Sequence, residues 1–362
     1  MRTLSETASQ KSGRVHGGPH DDELRALGVD PARLLDFSVN TNPYGPCPGV
    51  VEAVRTAVID CYPDPTGYAA REAMAPSLCA APNEIALGNG AAELLWTLAR
   101  ALVPTGRAAL IIEPTFCEFR AAAFAARARI VEWRAHESDG FAIDLESVAR
   151  LVHAEGVGVV YLCAPNTPTG TGLPAGVIAA WAEANPRVLI VLDQSFLSLS
   201  EHFADAEVRM PPNIVRVRSL TKEHAIPGVR LGYLLASPDI VARLEENRPA
   251  WMTSAMAQAA AVAACRERSF VEESRRKLLA DRERLLSRIR SLDVDTFASS
   301  AGFFLVRVKG ATELRRRLLA HHQILVRDCL SFGLPDFIRL AARPEPDAER
   351  LVAALKEELA RC

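Results

Sequence analysis

The stretch from Ser219 to Tyr233 packs reactive groups closely: Ser219, Thr221 and Lys222, then Glu223 and His224, then Pro227, Gly228, Arg230, Leu231 and Gly232. An amine can condense with an aldehyde, while hydroxyls and a guanidinium suit a phosphate dianion. A lysine by itself is usually a solvated surface residue. A Ser-x-Thr-Lys run that ends in Pro-Gly-x-Arg-Leu-Gly-Tyr reverses that preference. Upstream, Val191 to Phe196 sets the Asp193 carboxylate at the end of an apolar run, where an acid can pair with a protonated ring nitrogen. Earlier still, Ala164 to Gly170 places Asn166 after another apolar run, and its amide can donate to a phenolic oxygen. Turn chemistry explains the Pro and Gly residues there, but not the order of the three segments.

These groups need a scaffold that brings strand ends together. Between about 85 and 220, short apolar runs alternate with longer amphipathic stretches. Ala108 to Ile112, Val157 to Leu162, Val188 to Leu192 and Asn213 to Val217 read as buried strands, and Ala91 to Leu102 and Pro174 to Glu183 as helices. The alternation predicts an α/β fold with a mainly parallel, doubly wound sheet, whose ligands sit outside the carboxyl ends of the strands. Ser269 to Leu292 reads as a long exposed helix. Beyond it, strands are expected at Phe303 to Val308, Ile324 to Arg327 and Phe337 to Ala341, with helices at Ala311 to His321 and Asp347 to Leu359. The division expected is a large domain over 46–265, a small α+β domain over 266–362, and an N-terminal arm over 1–45 that joins the small one.

Composition narrows the class of partner. At 362 residues, 49% hydrophobic and 24% charged, the chain has the balance of a soluble globular protein. A net charge of −2 with dispersed basic residues excludes a nucleic-acid surface and favours a small molecule. No apolar stretch approaches a membrane span, and Met1 to Arg14 lacks the apolar core of a secretory signal, so a cytoplasmic location is expected. The eight cysteines have neither a C-x-x-C pair nor histidine partners at zinc spacing, and no metal site is expected.

Asn166, Asp193, Lys222 and Arg230, separated by 27, 29 and 8 residues, resemble the fold-type I pyridoxal-phosphate (PLP) enzymes over nearly the whole chain. That resemblance implies the aspartate-aminotransferase-like fold, pyridoxal 5'-phosphate as cofactor, and Lys222 as the Schiff-base lysine. Leu87 to Glu93 resembles the strand-to-helix turn whose amides hold the cofactor phosphate, here Gly90, Ala91 and Ala92. Glu113 to Phe116 resembles the motif that stacks an aromatic ring on the pyridine, implying Phe116. Tyr62 to Pro65 resembles the segment that reaches the cofactor phosphate of the other subunit, implying a homodimer with Tyr62 shared between sites. Ser219, Thr221 and Arg230 are implied around the same phosphate. Ile338 to Leu340 resembles the strand that offers an arginine to the substrate carboxylate, implying Arg339. Arg327 occupies a place where relatives direct a second arginine to a substrate anion, with Arg343 as a rival.

The start His16, Gly17, Gly18, followed by the run from Leu35 through Asn42 and Pro43 to Pro46, is similar to L-threonine-O-3-phosphate decarboxylases, relatives of histidinol-phosphate aminotransferases. The resemblance implies that His16 lies over the substrate and that Asn42 helps bind it. The usual Asp-Glu-Ala-aromatic motif stands here as Asp193, Gln194, Ser195 and Phe196, without the Glu or a phenolic hydroxyl. Glu223 and His224 stand where aromatic or apolar residues are usual, which makes His224 a candidate for proton transfer. Three reactions remain open: decarboxylation, transamination, and a lyase or cyclase reaction on a cationic amino acid such as hydroxyarginine. A PLP-fold domain without catalysis is expected to lose the lysine or the aspartate, and both are present. A ligand-sensing regulator is expected to carry a DNA-binding domain as well.

Overall fold

Strands covered by helices on both faces draw their stability from continuous apolar burial, about 1.5–3 kcal/mol for each large side chain. In the computed structural model, which describes residues 16–103 and 105–361, β1 (Leu35–Asp36) stands apart from such a sheet. Seven strands form it: β2 (Ile85–Asn89), β3 (Ala108–Glu113), β4 (Arg129–Arg134), β5 (Val157–Cys163), β6 (Leu189–Asp193), β7 (Ile214–Ser219) and β8 (Leu231–Leu235). Their order is β2-β8-β7-β6-β5-β3-β4. Neighbours run parallel except β8, which is antiparallel to both β2 and β7. One face packs Leu94, Leu95, Leu98 and Phe119 against Ile111, Tyr161, Val191 and Val215. The other packs Val148, Val152, Ile178 and Ala182 against Leu110, Val160 and Ile190.

The four expected runs are β3, β5, β6 and β7. Strand β2 is the one that the resemblance of Leu87 to Glu93 implies, whereas β4 and β8 were not expected. Strand β4 is an edge that carries Arg129, Glu132 and Arg134, so it has no continuous apolar run. Strand β8 contains Gly232, where an added Cβ would stand 2.6 Å from the Ala91 nitrogen. That glycine lets the helix Gly90–Leu102 start against the sheet.

The helix Arg268–Arg290 leads to a second, smaller core. There β9 (Phe303–Arg307), β10 (Ile324–Leu325), β11 (Arg327–Asp328) and β12 (Phe337–Ala341) flank the helices Ala311–His322 and Glu345–Leu359. The single strand expected at 324–327 is broken. Its first half pairs in parallel with β1, and its second half joins the antiparallel set β11-β12-β9, with the buried Val326 between them. Leu35 and Phe37 from the arm pack with Leu285, Phe304, Leu318, Ile338 and Leu355. Among the described residues, no helix is long and apolar enough to cross a membrane, and the cysteines are free.

Candidate active site

The parallel strands β3, β5, β6 and β7 end at Glu113, Cys163, Asp193 and Ser219, so the loops beyond them meet on one edge of the sheet. They border a cavity of about 290 Å³ that residues of the arm and the smaller core also line. Its wall includes His16, Asn40, Ala91, Ala92, Phe116, Thr167, Asp193, Phe196, Ser219, Thr221, Lys222, Arg230, Arg327 and Arg339.

Lys222 lies in the single helical turn Leu220–Glu223 that follows β7. Burial lowers its pKa, partly countered by Asp193, which favours the neutral, nucleophilic amine. Its Nζ is 4.9 Å from the centre of the Phe196 ring, with no phenolic hydroxyl there. Asp193 is 2% exposed and held from both sides. The Ser195 N–H donates to Oδ1 and the Tyr161 hydroxyl donates to Oδ2, each at 2.9 Å. Tyr161 is a residue the sequence reading missed; a polar tip in the otherwise apolar run of β5 is the signal that points to it. Gln194 accepts from Arg218 Nε at 3.1 Å, a neutral partner where a Glu would make an ion pair.

An anion cradle adjoins the lysine. The 13-residue helix Gly90–Leu102 begins without a side-chain cap from Asn89, and Ala91 and Ala92 of its first turn line the cavity. Gly90 adopts φ +76°, and a Cβ there would come within 2.4 Å of Arg230 Nη2, so only glycine lets the guanidinium cross the helix start. The Ser219 and Thr221 hydroxyls are 2.7 Å apart on the same wall.

The two arginines expected to face a substrate both line the cavity. Arg339 donates through Nη1 to Thr167 Oγ1 at 2.7 Å and through Nη2 to the Ser38 carbonyl. Burial, reinforced by nearby Arg327, pushes its pKa down to about 10. Arg327 donates to Ser331 Oγ at 2.6 Å and lies over the Phe332 ring. Arg343 is outside the cavity, bonded to Asp347 and the Asp36 carbonyl.

Three sequence expectations do not match this geometry. The Asn166 amide is engaged by its own loop and by the loop after β3: Nδ2 donates to Thr169 Oγ1 and the Pro114 carbonyl, and Oδ1 accepts from Thr115. Thr167, its neighbour, faces the cavity instead. Asn42 does not line the cavity. It braces the lysine turn, its backbone N–H donating to the Lys222 carbonyl at 2.9 Å and its Nδ2 to the Glu223 carbonyl at 2.8 Å. Asn40 lines the wall, with both amide atoms buried and unpartnered. His224 is 2% exposed, stacked near Phe270 and away from the cavity, with Nε2 3.5 Å from Glu223 Oε1. Neither Glu223 nor His224 is among the lining residues, so the argument from them for a cationic substrate loses its support. Tyr62, expected at a partner's site, is 80% exposed, its ring tilted against Trp251 with centres 4.9 Å apart.

A buried amine of lowered pKa, a held carboxylate at the adjacent strand end, a helix-start anion cradle and a ring at Phe116 together fit a phosphorylated, ring-bearing aldehyde.

The chain belongs to the aminotransferase class I and II family, whose profile matches residues 32–355, and it is an enzyme of that kind. It is 32% identical to histidinol-phosphate aminotransferase 2 of Ralstonia nicotianae over 357 residues, covering 96% of this chain and 94% of the relative. It is equally 32% identical to the threonine-phosphate decarboxylase of Salmonella typhimurium over 358 residues, covering 95% and 96%. The crystal structure of histidinol-phosphate aminotransferase from Sinorhizobium meliloti in complex with pyridoxal-5'-phosphate superposes with a TM-score of 0.86 at 25% identity, covering 99% of this chain and 98% of that one.

Proposed function

We propose that this protein is a PLP-dependent enzyme acting at the Cα of a small amino compound that carries both a carboxylate and a phosphate, by decarboxylation of the threonine-phosphate type. The observation that carries this reading is the charge of the cavity wall: Arg327 and Arg339 stand beyond the phosphate cradle, and Asp193 is the one carboxylate among the lining residues. Lys222 would hold the cofactor by its amine, Asp193 its ring nitrogen, Phe116 its ring face, and Ala91, Ala92, Ser219, Thr221 and Arg230 its phosphate. Bound there, the cofactor supplies an aldehyde for exchange with the substrate amine and a protonated ring that draws electrons from Cα. Arg339 then fixes the substrate carboxylate in two directions. Arg327 and His16 take the remaining anion, and Lys222, released by the exchange, is placed to move a proton at Cα.

A second reading, transamination of histidinol phosphate with 2-oxoglutarate, is supported by the equal identity to the Ralstonia aminotransferase. The same pair of arginines suits the two carboxylates of 2-oxoglutarate. Product analysis of the PLP-loaded enzyme decides between the two. Carbon dioxide from L-threonine phosphate is the expected result; amino transfer from histidinol phosphate without it establishes the second reading. Turnover of hydroxyarginine alone overturns both.

A homodimer is part of the same reading. Val58, Ile59, Tyr62, Tyr68, Trp251 and Met256 are exposed apolar side chains; Tyr62 touches Trp251, and Met256 borders a hollow that Arg230 also lines. Covering these side chains with a second copy would bring Tyr62 to the partner's phosphate cradle. The double variant Ile59→Asp and Trp251→Glu is expected to elute as a monomer on sizing and to bind PLP at least about tenfold more weakly, because interface anchors of this size contribute roughly 2 kcal/mol or more. A wild-type holoenzyme that elutes as a monomer overturns the shared-site arrangement.

A further inference from the structure

The cavity rim carries a polar unit that the cofactor would not touch. Glu118 begins the helix Glu118–Ala125 and is 7% exposed. A carboxylate so buried is costly unless donors surround it. Trp96 Nε1–H donates to its Oε2 at 2.5 Å, and His16 Nε2 lies 2.9 Å from its Oε1. The imidazole rests against Phe116, ring centres 5.6 Å apart, and lines the cavity.

The path of the chain to His16 is sterically fixed. A Cβ on Gly17 would lie 2.4 Å from the Ser38 carbonyl oxygen. Gly18 has φ +105°, and its N–H donates to Ser38 Oγ at 2.7 Å. That carbonyl also accepts from Arg339, so the arm and the arginine are referenced to one residue. An ionised carboxylate only accepts hydrogen bonds, so an ionised Glu118 assigns a proton to the imidazole nitrogen that faces it. Nδ1 is then the ring nitrogen left to meet a ligand.

We propose that Glu118 is a positioning residue: anchored by Trp96, it grips His16 through Nε2, holds the arm over Phe116 and presents Nδ1 to the distal phosphate of the substrate. This rests on the phosphorylated-substrate reading above. With Nε2–H on Glu118, Nδ1 accepts a hydrogen bond, and the monoanionic form of the phosphate supplies the O–H that donates to it. Trp96 sets the direction of the grip. Its indole N–H can only donate, so one oxygen of residue 118 must face it and the other group must face the histidine.

Glu118→Gln tests the idea without removing the side chain. Its oxygen stays on Trp96, which turns its NH₂ toward His16 and requires an unprotonated Nε2. Nitrogen NMR of the ¹⁵N-histidine-labelled holoenzyme, with the His16 signals assigned by His16→Gln, is expected to show Nε2–H in the wild type and Nδ1–H in Glu118→Gln. KM for the phosphorylated substrate should rise about tenfold, with kcat nearly unchanged and an unphosphorylated amino acid unaffected, the loss expected for one charge-assisted hydrogen bond. The same tautomer in both proteins, or equal losses with and without phosphate, overturns the role. A wild type that does not discriminate between phosphorylated and unphosphorylated amino acids overturns the substrate reading instead. The tautomer comparison needs no turnover and still decides whether Glu118 holds His16.

Discussion

Lys222→Ala is expected to eliminate the visible absorbance band of lysine-bound PLP and to reduce turnover by roughly 10⁴-fold or more, because it removes both the covalent anchor and the nearest proton carrier. The chain contains five lysines, at 11, 222, 277, 309 and 356. Lys222 is the one that lines the cavity among the described residues. Borohydride reduction of the holoenzyme followed by peptide mass analysis should therefore find the cofactor on Lys222. A label on Lys277, Lys309 or Lys356, or an undiminished band in the variant, would overturn the assignment. The fold should survive the change: the turn is braced through its backbone by Asn42, and those bonds do not involve the lysine side chain.

Arg339→Leu should lower kcat/KM for a carboxylate-bearing substrate by roughly 10²- to 10³-fold, the range for removing one partner of a buried, hydrogen-bonded charge pair. Arg339→Lys should recover little. An ammonium lacks the planar fork, and the burial that already holds the guanidinium down to about 10 acts on a lysine too. Retention of the visible band in both variants would show that the cofactor half is intact. Equal losses for amines with and without a carboxylate would sink the assignment.

The parallel strands and the lysine segment were legible because both are written in contiguous residues: apolar runs for β3, β5, β6 and β7, and hydroxyls, amine and guanidinium close together after β7. What was not legible is orientation between neighbours. In the turn Leu220–Glu223 each residue rotates about 100° from the last. Glu223 and His224 therefore leave the wall on which Lys222 stands, although they follow it directly. In the arm, Asn40 and Asn42 bracket Thr41, and only the structure shows that Asn40 meets the cavity while Asn42 braces the turn. In the loop after β5, composition cannot distinguish Asn166 from Thr167; the hydrogen bonds of the asparagine to Pro114, Thr115 and Thr169 decide which one turns away. Tyr161 and Trp96 act through tertiary contacts with Asp193 and Glu118, 32 and 22 residues away; the apolar run of β5 marks Tyr161 as unusual, but no local pattern names the partner of either.

The pairing of β1 with β10 has a consequence for how the molecule is made. Ser38 and Arg339 are joined across 301 residues of chain, and Asp36 and Arg343 across 307. The sheet that bears Asp193 and Lys222 closes within residues 85–235. Ribosomes deliver the amino end first, at about 5–20 residues per second, and contacts of long sequence separation form late. Each newborn chain thus has the elements for cofactor capture before it can discriminate among amines. The arm must wait for the last strand, β12, and the final, slowest event of maturation is expected to be its docking there.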